Sequence, residues 1–478
     1  MTPVRSGLLA ILLTGLVAFL LGVTRGDAAR AWGIYLVNFL FWSGLAQAGV
    51  AFSALLQLTR ARWGEPLRDV AESMTSFLPA SFGLALFLPL GHVWFYRWLP
   101  SASAKERAWL SAPFVSARLL LALAALYVLS LMFVRGSRPR RDRLAPAVLI
   151  AYAVVLTFLS FDWVMSLDSR WFSTLIGGHF FIGTLYAGLA GIALLALVVR
   201  RTSGADAIPA AMLHDHGKLL LGFCMLWMYL VFTQYIVIWY GDLPEEIGFV
   251  LRRTDGAWAI VAAFVVASGF LVPFSLLLSR RLKQSAGGLA LVAALALAGL
   301  FSERVLLVMP SLVTGGPSFG LVEVAVSAGF FAAFLLCILP KLEMDSTGLI
   351  VAAVVSLACW SAAAPALAQT GTWEAPAQAS SIKRPTPADD KSVERGRRLF
   401  KQNCVPCHGE SGRGDGPMGK AMGIRPGNLT NGERMSKHAD GEIFWKVSKG
   451  KDPMPVFEKK LSEKERWDLV AYVRTLAK

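Results

Sequence analysis

The chain has 478 residues, of which 55% are hydrophobic and only 17% are charged, and its mean hydropathy is +0.53. Soluble domains carry about 25% charged residues, so this composition indicates a membrane protein and excludes a wholly soluble one. The formal net charge is +15, the bias expected of a membrane protein with basic cytoplasmic loops, and no nucleic-acid partner is expected. Five cysteines are too few for a disulfide scaffold.

Apolar runs long enough to cross a bilayer fill most of the first 340 residues. A crossing needs about 20 mostly apolar residues. Ten runs meet this condition: 7–23, 31–58, 74–98, 114–134, 144–166, 173–199, 217–240, 257–279, 287–309 and 320–339. The sequence therefore predicts an all-α, polytopic transmembrane bundle of about ten spans over residues 1–343.

The lysines and arginines of the loops predict the orientation of this bundle. With the N-terminus in the cytoplasm, sixteen of these residues fall in cytoplasmic segments and eight in the opposite loops. Basic residues accumulate on the cytoplasmic side of bacterial membrane proteins. The bias thus predicts a cytoplasmic N-terminus in an inner membrane, and ten spans return the chain to the cytoplasm.

A further apolar segment, 344–368, has the features of a secretory signal. An apolar stretch at 349–359 precedes Ala366 and Ala368, which form the small-x-small pattern of a signal peptidase site. The segment is either an eleventh span or a signal peptide, and it carries the rest of the chain out of the cytoplasm.

Residues 369–388 are rich in Ala, Pro, Ser, Thr and Gln. This composition predicts an extended linker.

The last part of the chain, 389–478, contains a haem attachment motif. Cys404 and Cys407 are separated by two residues and followed directly by His408, which is the spacing of c-type haem attachment. The thiols would form thioethers with one covalent haem c, and His408 would be the proximal iron ligand. The alternatives are a redox cysteine pair and half of a zinc site, and the chain has no second cysteine pair that could complete a zinc site.

Helices on either side of the motif resemble those of the class I cytochromes c. One helix is predicted over 394–402 and another over 462–476, the latter with Ser462 and Glu465 as a capping box. The resemblance implies that the two helices cross at a small residue, with Gly396 against the stretch 469–472.

The sixth iron ligand is expected to be a methionine, because a thioether stabilises ferrous haem. Met454 is the preferred candidate, since its loop at 452–455, just before the last helix, resembles the class I ligand loop. Alternatives on the chain are Met418, Met422, Met435 and His438.

From residue 371 onward, the chain has 21 basic and 14 acidic residues. This net positive charge either steers an acidic partner to the domain or belongs to an ordinary solvated surface.

Ionisable residues inside or beside the predicted spans are candidates for proton or quinone chemistry, because a charge in hydrocarbon is costly. The alternative interpretation is that these residues form hydrogen bonds between neighbouring helices. Only His92 and His179 lie well inside spans, so a membrane haem b is not expected. The full set of candidates is His92, Asp162, Asp168, His179, Asp242, Glu245, Glu246, Glu303, Arg304 and Glu323.

Two stretches, 161–174 (FDWVMSLDSRWFST) and 214–246, which begins HDHGKLL and ends WYGDLPEE, resemble a known family. They are similar to one of the two paralogous membrane subunits of bacterial alternative complex III, a quinol:cytochrome c oxidoreductase whose membrane subunits are related to those of polysulfide reductase. The resemblance spans roughly residues 1–340 and implies ten spans. A fused cytochrome departs from the family pattern, in which the monohaem cytochrome is a separate chain.

The resemblance implies partners and a role. The partners would be a multihaem cytochrome c, an iron–sulfur subunit and a paralogous membrane subunit, with quinol as a substrate of the complex. The haem domain would pass electrons to a terminal oxidase or a soluble cytochrome c, and no catalytic residue is expected on this chain. Two alternatives remain: a non-catalytic scaffold that tethers a cytochrome, and a quinone-binding membrane subunit of a molybdopterin-type reductase.

Overall fold

The computed structural model describes residues 3–204, 207–241, 243–313, 316–317, 320–342, 375–385, 387–418, 426–450 and 454–477. The chain divides into two compact units, residues 1–370 and 371–478. Regular structure in the described residues is helical, without β-strands, which confirms the all-α prediction. The predicted segment 344–368 lies outside the described residues.

The first unit consists of helices connected by short turns. Its α-helices are α1 Pro3–Arg25, α2 Ala28–Thr59, α3 Glu65–Ser73, α4 Leu78–Ala85, α5 His92–Phe95, α6 Ala104–Trp109, α7 Ala112–Val134, α8 Arg138–Trp163, α9 Ile176–Ser203, α10 Ala210–Gly241, α11 Pro244–Thr254, α12 Gly256–Val266, α13 Val272–Leu277, α14 Arg280–Gln284, α15 Ala286–Leu312 and α16 Leu321–Leu342. Short 3₁₀ segments lie at Arg62–Gly64, Met74–Phe77, Leu88–Gly91, Leu99–Ser101 and Met165–Leu167, and a π-helical turn at Ala267–Leu271 joins α12 to α13.

In the described part of the chain, nine helices are long and apolar enough to cross a membrane, and a bent pair raises the number to ten. The bent pair, Arg62–Ala85 with Leu88–Phe95, turns by 44° where the sequence predicts one straight span at 74–98. Pro89 lies just past the break. Because proline lacks an amide hydrogen and its ring clashes with the carbonyl four residues earlier, it interrupts a helix at this point.

Helix α2 forms the centre of the unit, and nearly all of its residues are buried. Asp27 caps its start by accepting hydrogen bonds from the amides of Ala29 and Arg30. Helix α2 packs against α8, α9, α15 and α16. A Cβ on Gly188 of α9 would lie 2.1 Å from the Ala48 Cβ of α2, so the contact depends on small residues, as is common between membrane helices.

The second unit has five described α-helices and one 3₁₀ segment. These are the 3₁₀ segment Ala377–Ser381 and helices α17 Asp390–Asn403, α18 Val405–His408, α19 Gly432–Ser436, α20 Asp440–Lys449 and α21 Glu463–Leu476. Both the Asp389–Ser392 capping box of α17 and the Ser462–Glu465 capping box of α21 are formed. Helices α17 and α21 begin within four residues of the predicted positions.

Helices α17 and α21 cross at Gly396. A Cβ there would lie 2.0 Å from the Asp468 carbonyl oxygen and 2.9 Å from the Tyr472 Cβ, so no larger residue fits. The sequence predicts Gly396 at this crossing; the structure places its nearest contact at Asp468, one residue before the predicted stretch. Phe444 of α20 stacks on Trp467 of α21 with ring centroids 4.2 Å apart, which closes the core.

Part of the predicted linker packs against this unit. Ala379 is 2% exposed, and a Cβ on Gly441 would lie 2.2 Å from the Ala379 carbonyl oxygen. Arg384 Nη2 lies 3.1 Å from Asp468 Oδ1. The described residues 375–385 therefore belong to the folded unit, within the segment 369–388 whose composition predicts an extended linker. Proline and alanine content alone does not show that a backbone is docked.

The Gly188–Ala48 contact yields a stability prediction. We expect Gly188→Ala to destabilise the full-length protein by about 1–3 kcal/mol, because overpacking forces a backbone shift. Gly178→Ala in the same helix is the control, since a Cβ there meets no atom within 4 Å. The measurement is thermal unfolding of both variants in detergent. Equal stability of the two variants would contradict the close contact.

Candidate haem site and buried charge clusters

The haem attachment motif is held on a single helical turn. The amide of Cys404 donates to the Phe400 carbonyl at 2.8 Å, which ends α17, and the amide of His408 donates to the Cys404 carbonyl at 2.8 Å. Residues four apart lie on one helix face. The turn therefore presents Cys404 and His408 to the same side.

An apolar cavity lies beside this turn. It has an empty volume of about 890 Å³, which includes the space at its mouth, and both Cys404 and His408 line it. The rest of the wall is mainly apolar, with Phe400, Leu469 and Val473 from the two crossing helices. The thiol of Cys404 and the imidazole of His408 on an otherwise apolar wall are the groups that covalent attachment and ligation of a haem require, so the residues present fit this cofactor.

Met454 reaches the same cavity from a loop that folds back on α20. The amide of Phe457 donates to the Val447 carbonyl at 3.4 Å, and that of Glu458 donates to the Ser448 carbonyl at 3.1 Å. Gly450 has φ of +60°, and a Cβ there would lie 2.6 Å from the Met454 carbonyl oxygen. A glycine is needed at this turn, and the turn aims the loop at the cavity.

The other candidates for the sixth iron ligand differ in whether they line the cavity. Met418 is 52% exposed and is not among the residues of the cavity wall. Met435 and His438 do line the cavity, so they stay as alternatives, and Met422 lies outside the described residues. Met454 remains the preferred sixth ligand as a prediction.

Burial sets the protonation of the attachment residues. It raises the pKa of the Cys404 thiol to about 12, and the neighbouring Cys407 acts in the same direction. Burial also lowers the pKa of His408, while the backbone at Gly427 partly offsets this effect. The neutral imidazole is the form that binds a metal.

In the membrane unit, the candidate residues fall into separate clusters. The most buried cluster lies between α9, α10 and α15: His179 Nε2 is 2.6 Å from Glu303 Oε1, and Arg304 Nη1 is 3.3 Å from Glu303 Oε2. Trp227 donates its indole N–H to Glu303 Oε1 at 3.0 Å, and Arg304 also donates to the Thr184 hydroxyl at 3.1 Å. The local Glu303–Arg304 pair expected from sequence is present, with His179 added.

Two aspartates of the first motif are paired with arginines. Arg118 of α7 donates to Asp162 Oδ2 at 2.7 Å, and the Tyr96 hydroxyl donates to the Asp162 carbonyl at 2.8 Å. Asp168 forms an ion pair with Arg252 and is buried. Arg118 is absent from the candidates predicted by sequence, even though an arginine inside the apolar run 114–134 signals that a carboxylate partner is needed.

The remaining candidates lie elsewhere in the unit. Glu323 pairs with Arg30, whose Nε donates at 2.8 Å. One ring nitrogen of His92, Nε2, lies 2.7 Å from the Leu110 carbonyl oxygen. The amide of Glu246 donates to the Leu243 carbonyl at 3.0 Å in the first turn of α11. Asp242 and the Glu245 side chain lie outside the described residues.

Comparison with known proteins identifies the second unit. Residues 393–477 match the cytochrome c family. Over 97 residues, the chain is 30% identical to FixP of Azorhizobium caulinodans, a cbb3-type cytochrome c oxidase subunit, and this alignment covers 20% of the chain and 31% of FixP. The chain thus spans less than a third of that relative. Its C-terminal unit is a cytochrome c domain, which implies covalently bound haem c.

The cavity geometry yields a prediction for the axial ligand. We expect Met454→Leu to keep the haem covalently attached but to lower the midpoint potential by on the order of 0.1 V or more, because the thioether no longer stabilises ferrous iron. The measurements are haem staining, the methionine-to-iron charge-transfer band and a redox titration of the full chain. Met418→Leu is the control, since Met418 is exposed. An unchanged band in Met454→Leu together with its loss in Met435→Leu would assign the ligand to Met435 instead.

Proposed function

We propose that this chain is an electron-transfer subunit of a quinol:cytochrome c oxidoreductase of the alternative complex III type. The observation that carries the proposal is a single chain in which an apolar cavity, lined by His408 and Met454, belongs to a cytochrome c domain. In the residues that the structure describes, this domain follows nine or ten candidate spans. Such a chain attaches an electron carrier to a respiratory membrane. The resemblance of 161–174 and 214–246 to a membrane subunit of alternative complex III selects this complex.

The residues of the cytochrome domain have distinct roles in this proposal. Cys404 and Cys407 would attach the haem, and His408 and Met454 would hold its iron. A bound haem c supplies a one-electron centre whose potential depends on its axial ligands and its burial. Phe400, Leu469 and Val473 give the cavity an apolar wall, which would limit the contact of a bound haem with water.

The direction of electron flow follows from the proposed assembly. Quinol oxidised elsewhere in the complex reduces a multihaem cytochrome or the iron–sulfur subunit, and this domain passes electrons to a terminal oxidase or soluble cytochrome c. FixP is itself a subunit of a cbb3-type oxidase. The likeness covers 20% of this chain, and it supports a respiratory setting.

The proposed location is the bacterial inner membrane, with the N-terminus in the cytoplasm and the haem domain in the periplasm. The lysine and arginine bias of the loops supports this orientation, and haem c is attached outside the cytoplasmic membrane. The segment 344–368 would carry the chain across. The proposed division is a membrane domain at 1–343, this segment, a linker at 369–388, of which 375–385 is docked, and the haem domain.

Complex membership is tested by purification. We expect a tag on this chain to recover, from native membranes, a haem-stained band near 51.8 kDa together with a multihaem cytochrome, an iron–sulfur subunit and a second membrane subunit. A molybdopterin enzyme in their place would contradict the proposal and support the reductase alternative. A stained band without any partner would contradict membership in a larger complex.

For the membrane unit, we propose a part in proton translocation that accompanies quinol oxidation. The supporting observation is the buried His179–Glu303–Arg304 cluster, because ionisable groups inside a membrane are costly and mark proton or ligand paths. A carboxylate 2.6 Å from an imidazole is a pair that can share and pass a proton. The competing scaffold hypothesis treats the same cluster as a contact between α9 and α15.

Replacement of Glu303 separates these two hypotheses. In the complete assembly reconstituted into vesicles, we expect Glu303→Gln to reduce the protons moved per electron by at least half while quinol oxidation continues. Glu106→Gln is the control, since Glu106 is an exposed capping residue of α6. Unchanged proton movement in an intact Glu303→Gln complex would favour the scaffold.

A further inference from the structure

A dense group of arginines lies at the turn between α7 and α8. The group consists of Arg135, Arg138, Arg140, Arg141 and Arg143. All of them except Arg141 are exposed. Because α7 and α8 are both candidate membrane spans, the exposed arginines lie where the chain meets the edge of the bilayer.

One arginine fastens this turn to the rest of the bundle. Arg141 Nη1 donates to Glu72 Oε1 of α3 at 2.7 Å, its Nη2 donates to Glu72 Oε2 at 3.1 Å, and its Nε donates to the Gly136 carbonyl at 3.2 Å. The arginine cluster is therefore carried by a backbone that is held in place.

The carboxylates beside the cluster already have partners. Glu72 is paired with Arg141, and Asp142, which offsets one charge of the cluster, accepts a hydrogen bond from the Gln57 amide of α2. In the described part of the chain, Arg141 is the one member of the cluster that forms an ion pair. The exposed guanidinium groups are thus available to an anion from outside the chain.

Two of these arginines continue an exposed apolar face of α8. Residues three or four apart lie on the same face of a helix, and the positions 140, 143, 147, 150, 154 and 158 follow this spacing. The side chains of Ile150, Val154 and Phe158 are 65%, 47% and 39% exposed. One face of α8 therefore has cationic groups at its start and an uncovered apolar surface after them.

The length of the apolar part matches one leaflet of a bilayer. From Ala147 to Phe158 the helix rises by about 16 Å, and half of the hydrocarbon core of a membrane is about 15 Å thick. A lipid chain lying along this face would place its headgroup beside Arg140 and Arg143.

We propose that this face of α8, with Arg140 and Arg143 at its start and Ile150, Val154 and Phe158 along it, binds an anionic phospholipid. A guanidinium donates two parallel hydrogen bonds to a phosphate, and the acyl chain covers the apolar side chains. The start of a helix carries partial positive charge, which makes a group of arginines there unfavourable until an anion is near. The inference requires only that α7 and α8 cross a membrane, and it is independent of the proposed complex.

A soluble phosphate satisfies only the first half of this surface. It would meet the arginines but leave the apolar face uncovered, whereas a phospholipid meets both. The proposed ligand is therefore a lipid with a phosphate headgroup and net negative charge, such as phosphatidylglycerol.

Native mass spectrometry of the detergent-purified full chain, titrated with phosphatidylglycerol, tests the proposal. We expect the double variant Arg140→Gln with Arg143→Gln to bind this lipid about ten-fold or more weakly than wild type, because each arginine beside an anionic lipid surface contributes about a five-fold gain in affinity. Zwitterionic phosphatidylcholine should bind weakly to both proteins.

Two further double variants separate the site from charge in general. Arg140→Lys with Arg143→Lys keeps the charge and should retain most of the binding. Arg280→Gln with Arg281→Gln removes two exposed charges from α14 and should bind phosphatidylglycerol as wild type does. Thermal unfolding of each variant checks that the protein is folded, which is expected because none of the replaced arginines forms an ion pair in the described part of the chain.

Three results would overturn the proposal. One is unchanged phosphatidylglycerol binding in Arg140→Gln with Arg143→Gln, and another is an equal loss in the α14 variant, which would spread the binding over all basic loops. The third is full displacement of the lipid by inorganic phosphate at equal concentration, which would make this a site for a soluble anion. If the double variant does not accumulate in membranes, Arg140→Gln and Arg143→Gln are measured singly, and wild-type binding in both would contradict the site.

Discussion

The close crossing of the first and last helices of the cytochrome domain is the contact on which the haem cavity depends. Gly396 lets α17 approach α21 so closely that a Cβ at this position would collide with the Asp468 carbonyl oxygen. The Asp468 side chain, 1% exposed, then holds Arg395 of α17 at 2.7 Å and Arg384 of the docked segment at 3.1 Å. One buried carboxylate therefore ties three parts of the chain together. The motif turn begins where α17 ends, so its position depends on this crossing.

The membrane unit follows a different constraint, which is that a charge surrounded by hydrocarbon must have a partner. Asp162 with Arg118, Glu303 with His179 and Arg304, and Glu323 with Arg30 all satisfy it. Breaking a buried pair by removing one partner typically costs about 3–5 kcal/mol, so each pair also holds its helices in register. At the Glu303 cluster a structural role is compatible with the proposed proton transfer, because both would use the same short contact between His179 and Glu303.

Sequence predicted the features that depend on local pattern. Hydropathy located the long apolar helices, the two-residue cysteine spacing indicated the cytochrome c domain, and the Ser462–Glu465 box located the start of α21. Those signals are local because helix periodicity, capping and thioether attachment each involve residues a few positions apart. Gly396 was also predictable, but only through resemblance to a known arrangement.

The pairing of distant charges was not predictable in this way. Arg30 and Glu323 are separated by 293 residues, and nothing in either neighbourhood specifies the other. The docking of 375–385, which lies in the predicted extended linker, was not predictable either, because its contact with Gly441 depends on tertiary approach. The break at Pro89 could have been foreseen, since the proline was visible within the predicted span and its effect on a helix is well defined.

The most direct test of the account is the reduction of this haem by quinol in the purified native assembly with no electron acceptor present. If the chain receives electrons from quinol through its partners, its haem c becomes reduced on mixing, and the signal disappears in an assembly carrying Cys404→Ala and Cys407→Ala. If the haem stays oxidised after quinol is added, yet is reduced at once by ascorbate, the domain is not on the path from quinol and the central claim is wrong.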